Sequence, residues 1–233
     1  MAVFYGIGVG VGDSKAVTVK AKETLGMLDI LYVPTAKKES ASVAHNIVKP
    51  YISQYLEIRE RHFPMNYNQD DLNSAWNSIA SEIEEEVKKG KNVGFVTIGD
   101  PMVYSTYIYL LKILKSKIDI VTLPGITSFL DIASSENFPR EEGENPLVII
   151  PATIGIEKLE TYIKNETSLV IMKVYKNFTE VVELIKKYNL EKCSIVVSNS
   201  SKDNKTVYRS FENINPEDIS YFTTILINKG WEN

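Results

Sequence analysis

The stretch Tyr5-Gly6-Ile7-Gly8-Val9-Gly10-Val11-Gly12-Asp13 decides the reading of this chain. It follows the apolar start of a strand, Val3-Phe4-Tyr5, and then places glycine at every second position. Glycine has no Cβ, so its backbone can lie very close to other backbone or to a ligand and can take positive φ. Glycine in alternation from Gly6 to Gly12 exceeds what a plain strand-to-helix turn needs. A second small-residue turn, Ile98-Gly99-Asp100-Pro101, follows the apolar run from Val93 to Ile98. A third, Pro124-Gly125-Ile126-Thr127-Ser128, follows the run from Ile118 to Leu123. Loops of this kind at the ends of three strands predict a small ligand held at the C-terminal edge of a parallel sheet.

Outward from these turns, strand and helix signals alternate. Ser14 is placed to cap a helix from Lys15 to Leu28, and Asp29 to Val33 reads as a strand stopped by Pro34. Ser40 to Ser53 has a helical pattern interrupted at Pro50, and Leu56 to Arg59 reads as a third strand. A long amphipathic helix starts at Asp70 or Asp71, carries Leu72, Ala75, Trp76, Ile79, Ile83 and Val87 on one stripe, and closes at Lys88-Lys89-Gly90. Met102 to Lys115 and Ile126 to Ser134 read as helices. Between Asn137 and Pro146 prolines, a glycine and charged residues crowd together, which marks a domain boundary. The second half resumes with strands at Leu147–Ile150, Leu169–Met172, Ser194–Val197, Val207-Tyr208 and Tyr221–Ile227, and helices near Glu157–Lys164 and Phe178–Tyr188. The expectation is an α/β chain of two domains, 1–138 with a mainly parallel sheet and 146–233 with a mixed sheet.

Composition narrows the function. The 233 residues are 44% hydrophobic, enough for sizeable cores, and the net charge of −4 offers no basic footprint for nucleic acid. A single cysteine, Cys193, leaves no internal disulfide and no multi-cysteine metal site, and it has no adjacent base to make it a nucleophile. His45 and His62 lack metal-ligand spacing, so no metal is expected. No basic n-region precedes the first strand and no apolar run reaches the ~20 residues of a membrane span. A soluble cytoplasmic protein is the expectation.

A dinucleotide fingerprint fails, because G-x-G-x-x-G read from Gly6 reaches Val11 and read from Gly8 reaches Asp13. The strand ending Tyr32-Val33-Pro34 also lacks the acidic residue that would hold a ribose, and no Gly-Lys-Ser/Thr loop cradles phosphate. Asp100 and Pro101 also suit a helix start, as N-cap and first helical residue. Thr127 or Ser128 suits the cap of the next helix.

Together the three loops, in this order, resemble those of the tetrapyrrole methylases, which transfer a methyl group from S-adenosylmethionine to ring carbons. Gly8-Val9-Gly10-Val11-Gly12-Asp13 resembles their G-x-G-P-G-D loop with Val11 in place of proline. Gly99-Asp100-Pro101 resembles their G-D-P loop and Pro124 to Ser128 their P-G-[IV]-[ST]-[SA] turn. Tyr5 to Gly10, Phe63-Pro64-Met65, Gly99 to Thr106 and Met172-Lys173-Val174 further resemble the branch that methylates carbon 20 of precorrin-2 or cobalt-factor II in cobalamin biosynthesis.

The resemblance implies two α/β domains with the cofactor in the cleft between them, commonly as a homodimer. It implies that S-adenosylmethionine, leaving as S-adenosylhomocysteine, contacts Ile98, Gly99, Asp100, Val103, Thr127, Ser128, Lys173 and Ser200. Gly10, Val11, Gly12 and Asp13 fall on the tetrapyrrole side. Asp13, Asp100, Tyr104 and Tyr107 are candidates to take the proton released from the methylated carbon, and Lys173 and Lys176 to meet substrate carboxylates. Alternatives are methylation at carbon 11 or 17, methylation of uroporphyrinogen, and a diphthamide-synthase-like protein methyltransferase. A nicotinamide oxidoreductase and a non-catalytic binding module are rivals from other classes.

Overall fold

The computed structural model describes residues 2–35, 42–63, 69–212 and 214–232, with residues 69–71 described by backbone alone. The positions Pro64 and Met65, and the expected helix start at Ser40, lie outside them. Contacts divide the chain into two compact units, Met1–Thr127 and Ser128–Asn233.

The first unit runs β1 (Phe4–Gly8), α1 (Val19–Leu25), β2 (Ile30–Thr35), α2 (Val43–Val48), β3 (Glu57–His62), α3 (Gln69–Lys88), β4 (Val93–Thr97), α4 (Tyr107–Leu114) and β5 (Ile120–Leu123). The strands form one parallel sheet in the order β3-β2-β4-β1-β5. β4 is buried throughout and β2 almost so, as expected of parallel strands covered on both faces. One apolar layer joins Phe4, Tyr32 and Phe95 to Trp76, Ile79 and Ile83 of α3 and Leu110 and Leu114 of α4. Another joins Ile7, Leu31 and Val96 to Ala21 and Leu25 of α1 and Ala44 and Ile47 of α2. The border strand β3 is of another kind, with Glu57, Arg59, Glu60, Arg61 and His62 among its six residues.

The order of strands creates a switch point. From β1 the chain moves towards β2, and from its neighbour β4 it moves the other way, towards β5. The two connections pass each other on opposite faces of the sheet, with α1 in one apolar layer and α4 in the other. Loops that leave adjacent strands for opposite faces open a crevice beyond the strands' carboxyl ends, where ligands of open α/β sheets bind.

The second unit runs α5 (Ser128–Ser135), β6 (Leu147–Pro151), α6 (Ile156–Asn165), β7 (Ser168–Met172), α7 (Phe178–Lys187), β8 (Ser194–Ser198), β9 (Thr206–Tyr208) and β10 (Thr223–Asn228). Its sheet has the order β6-β7-β10-β8-β9, with β6 and β7 parallel and the other pairs antiparallel. Its core gathers Leu159 and Ile163 of α6, Val181 and Ile185 of α7, and Leu169, Ile171, Val196, Ile225 and Ile227 of the strands. The division of contacts precedes segment 137–146 because α5 packs on β10. Arg140 of that segment is buried in the same unit, its Nη2 donating to Ser168 Oγ at 2.7 Å, Ile227 O at 2.8 Å and Leu169 O at 3.1 Å.

Several local expectations are corrected. Ser14 caps no long helix: Asp13 caps a single 3-10 turn, Ser14–Ala16, and α1 begins at Val19 with the Thr18 hydroxyl accepting from Ala21 N. Pro34 does not stop β2, which continues to Thr35. Pairing with β4 ends at Tyr32, so Pro34 sits where β2 has β3 alone beside it, and a missing N–H there breaks no ladder on the other side. Asp100-Pro101 starts no helix, since α4 begins at Tyr107.

Candidate functional site: three loops on the first sheet

β1 lies between β4 and β5, so the loops that leave these three strands are neighbours at one edge of the sheet. The alternation of glycines in β1 now has a cause. Side chains two apart in a strand share a face, and Gly6 and Gly8 both point into occupied space. The ring of Tyr107 fills the place of a Gly6 Cβ. A Cβ on Gly8 would lie 2.5 Å from Gly125 N and 2.8 Å from Gly99 O, both backbone atoms that cannot yield. Gly125 is crowded in turn by Gly99 O and by Gly8. Gly8, Gly99 and Gly125 therefore form one backbone knot, with one glycine from each loop.

Hydrogen bonds tighten the knot. Gly99 N donates to Gly10 O at 2.7 Å, an isolated bridge between the first two loops. Asp100 spends its carboxylate on backbone, accepting from Met102 N at 2.8 Å and from Gly125 N at 3.1 Å, which ties the second loop to the third. This is why its helix-capping signal misled: the same acceptor chemistry closes a turn and a loop-to-loop tie. Beyond the turn, the Ser105 hydroxyl pairs with Thr97 Oγ1 at 2.9 Å and accepts from Tyr107 N at 3.2 Å. The Tyr107 hydroxyl pairs with Thr122 Oγ1 at 2.6 Å, and burial pushes its phenol pKa up. These Thr97–Ser105 and Tyr107–Thr122 pairs escaped the sequence reading, and the small residue at Gly6 was the signal for the second of them.

Gly99 and Thr127 hold the informative geometry. Gly99 has φ +71, a conformation for which glycine is suited. A Cβ there would meet nothing nearer than Ile126 O and Thr127 Cα at 4.0 Å, so the space beside its Cα is open. Thr127, first in line to cap α5, does not cap it. Its residue is 8% exposed and its Oγ1 is buried with no hydrogen-bond partner. A buried hydroxyl without a partner costs about 1–3 kcal/mol. An open, glycine-floored space next to an unsatisfied hydroxyl suits a polar ligand lying against backbone.

The other sequence-predicted residues divide between the units. Ile98 and Val103 are half-buried beside the knot, and Ser128 opens α5. Gly10 has φ +73, Val11 is buried, and Asp13 accepts from Lys15 N at 2.8 Å. Tyr104 is exposed at a φ of 50, rare for an aromatic residue, and partial burial raises its phenol pKa. In the second unit, Lys173 has φ 57 just after β7, and the buried Ser200 donates its hydroxyl to Asp131 of α5.

Comparison with known proteins agrees with this arrangement. The family model "Tetrapyrrole (Corrin/Porphyrin) Methylases" matches residues 3–213. The chain belongs to the tetrapyrrole methylase family. Among curated relatives of this methylase, the cobalt-precorrin-2 C(20)-methyltransferase of Salmonella typhimurium is 34% identical over 229 residues, covering 98% of this chain and 97% of the relative. Among solved structures, the cobalt precorrin-4 methyltransferase CbiF superposes with TM-score 0.72 at 17% identity, covering 97% of this chain and 94% of that one. The uroporphyrin-III C-methyltransferase of Thermus thermophilus, solved with S-adenosylhomocysteine, superposes with TM-score 0.64 at 14% identity, covering 98% of each chain. At these identities the structures establish the methylase fold, with its parallel first sheet and mixed second sheet.

Proposed function

We propose that this methylase transfers a methyl group from S-adenosylmethionine to carbon 20 of a precorrin-2-type tetrapyrrole in cobalamin biosynthesis. The relative from Salmonella, matched over nearly its whole length, supports the position methylated. The cobalt in that relative's name favours the cobalt-loaded acceptor, cobalt-precorrin-2, over metal-free precorrin-2. The observation that carries the donor assignment is the open floor at Gly99 beside the unsatisfied Thr127 hydroxyl.

The residues fit the donor. Adenosylmethionine supplies, when bound, an electrophilic methyl on a sulfonium. Gly99, Asp100 and Thr127 would hold it, with Ile98 and Val103 as apolar flanks and Ser128, Lys173 and Ser200 as further contacts. Gly10, Val11, Gly12 and Asp13 would meet the acceptor. The knot fixes Gly99 before any ligand arrives, and such positioning can contribute several kcal/mol to a displacement between two bound reactants. No side chain needs to act as nucleophile. Asp13 and Asp100 are engaged with backbone amides, and Tyr107 is fully buried with its hydroxyl paired to Thr122. Tyr104, exposed and held at an unfavourable φ beside the knot, is our candidate for the group nearest the proton that leaves carbon 20.

We further propose a cytoplasmic homodimer. No described helix is long and apolar enough to cross a membrane. An anaerobic assay with metal-free and cobalt-loaded acceptor, read by mass spectrometry, tests the function. The expected product carries a methyl in place of the hydrogen at carbon 20, a net gain of CH2, with faster turnover of the cobalt form. Methylation at carbon 11 or 17, or of uroporphyrinogen alone, would replace this reading with one of its relatives' activities.

A further inference from the structure

The second sheet has an edge of its own at which β7 and β8 end and β10 begins, as the pairing of Met172 with Thr224 and of Ser198 with Thr223 shows. Three residues with side chains take left-handed backbone there: Lys173 at φ 57, Asn199 at φ 54 and Ser201 at φ 56. The surroundings enforce two of these turns. Asn199 N donates to Phe222 O at 3.0 Å, Asn199 Oδ1 accepts from Ser220 Oγ at 3.0 Å, and Ser201 Oγ donates to Asp131 at 2.9 Å. Non-glycine residues held in this region collect where structure serves a ligand.

The same edge exposes aromatic surface that the core does not use. Tyr175, Tyr221 and Phe222 are 37%, 46% and 37% exposed. They touch as a group, with Tyr175 and Tyr221 centroids 5.3 Å apart and Tyr221 and Phe222 5.2 Å apart at 90°. Lysines border them. Lys202 Nζ stands 3.3 Å from the Phe222 centroid and Lys176 Nζ 5.8 Å from that of Tyr175. Clustered exposed rings mark recognition surfaces, and ammonium groups beside rings in a chain of net charge −4 select an anion.

We propose that Tyr175, Tyr221 and Phe222, bordered by Lys176 and Lys202, form a platform that recognises the tetrapyrrole acceptor. The exposed Tyr221 ring meets its flat conjugated surface, Tyr175 and Phe222 hold that ring from the side at 53° and 90°, and the lysines meet its peripheral carboxylates. This rests on the methyltransferase reading above. A second copy of the chain fits less well, because two like-charged lysine borders would be brought together by such a face.

The test uses the full chain, with Tyr221→Ala, Tyr221→Phe and Lys202→Gln. Acceptor KM and kcat are measured anaerobically, adenosylmethionine affinity by calorimetry, and assembly by sedimentation. Tyr221→Ala is expected to raise acceptor KM about tenfold or more with donor affinity unchanged. Tyr221→Phe should keep near-normal KM, and Lys202→Gln should raise KM several-fold and weaken its dependence on salt. An unchanged acceptor KM in Tyr221→Ala overturns the platform while leaving the methyltransferase reading intact. Weakened donor binding, or loss of a dimer present in the parent chain, overturns it in favour of a donor contact or a contact between copies. If the parent chain binds adenosylmethionine but methylates no tetrapyrrole, the acceptor reading and the platform fall together.

Discussion

A single hydroxyl separates what favours folding of the first unit from what the proposed donor site would use. Thr127 Oγ1 is buried and unpaired, so it weakens the folded chain while offering a hydrogen bond to whatever lies beside Gly99. Thr127→Val keeps the shape and removes the polar atom. Removing an unsatisfied buried hydroxyl should leave stability unchanged or raise it by about 1 kcal/mol. Donor affinity should fall about tenfold, equivalent to ~1.4 kcal/mol. Denaturant unfolding and calorimetry on the same variant read the two effects, and a variant that loses stability but keeps its affinity would assign Thr127 to the fold alone.

Among the elements, α3 is heavily tied. Its Trp76 stacks on Tyr109 of α4 at 3.8 Å and 5°, and at its C-terminal end Glu86 meets Lys91 at 3.0 Å, Lys89 at 3.1 Å and Arg59 of β3 at 3.5 Å. The hydrogen bond from Lys91, then that from Lys89, hold the Glu86 carboxyl down from 4.5 to about 2. A carboxyl depressed in the folded state adds stability above its unfolded pKa, and this is lost as pH falls through the folded value. The stability advantage of the parent over Glu86→Gln should therefore be full at pH 7 and shrink between pH 4.5 and about 2. Urea midpoints across that range, at low salt, check it; a gap that stays constant with pH would mean that the pairs contribute nothing through charge. The apolar stripe of α3 was legible in sequence because a repeat near 3.6 residues leaves few alternatives. The start of α4 was not. Aspartate followed by proline satisfies a capping rule, yet Asp100 uses its oxygens to join two loops, and only the neighbourhood of Gly125 reveals that. Likewise Thr127 suited a helix cap in sequence, yet its buried hydroxyl meets no helix amide. The meeting of the three loops was legible, since each glycine motif closed a strand of one parallel sheet.

For the molecule as a whole, the methyltransferase reading makes a thermodynamic claim. A ligand that binds only folded chain stabilises it by about 2.7 kcal/mol at a hundred times its Kd. Adenosylmethionine and adenosylhomocysteine should both raise the thermal midpoint by several degrees, and NADH should not, as differential scanning fluorimetry would show. A shift with NADH alone would restore the oxidoreductase alternative. The border strand β3 has a bearing on how such a chain survives at high concentration. An outermost strand is an open row of amides on which a foreign strand can grow into a fibril. With arginine and glutamate strung along Glu57–His62, that margin repels the flat apolar ribbons that seed aggregates. The charges along β3 thus guard against fibril growth while the chain waits for substrate.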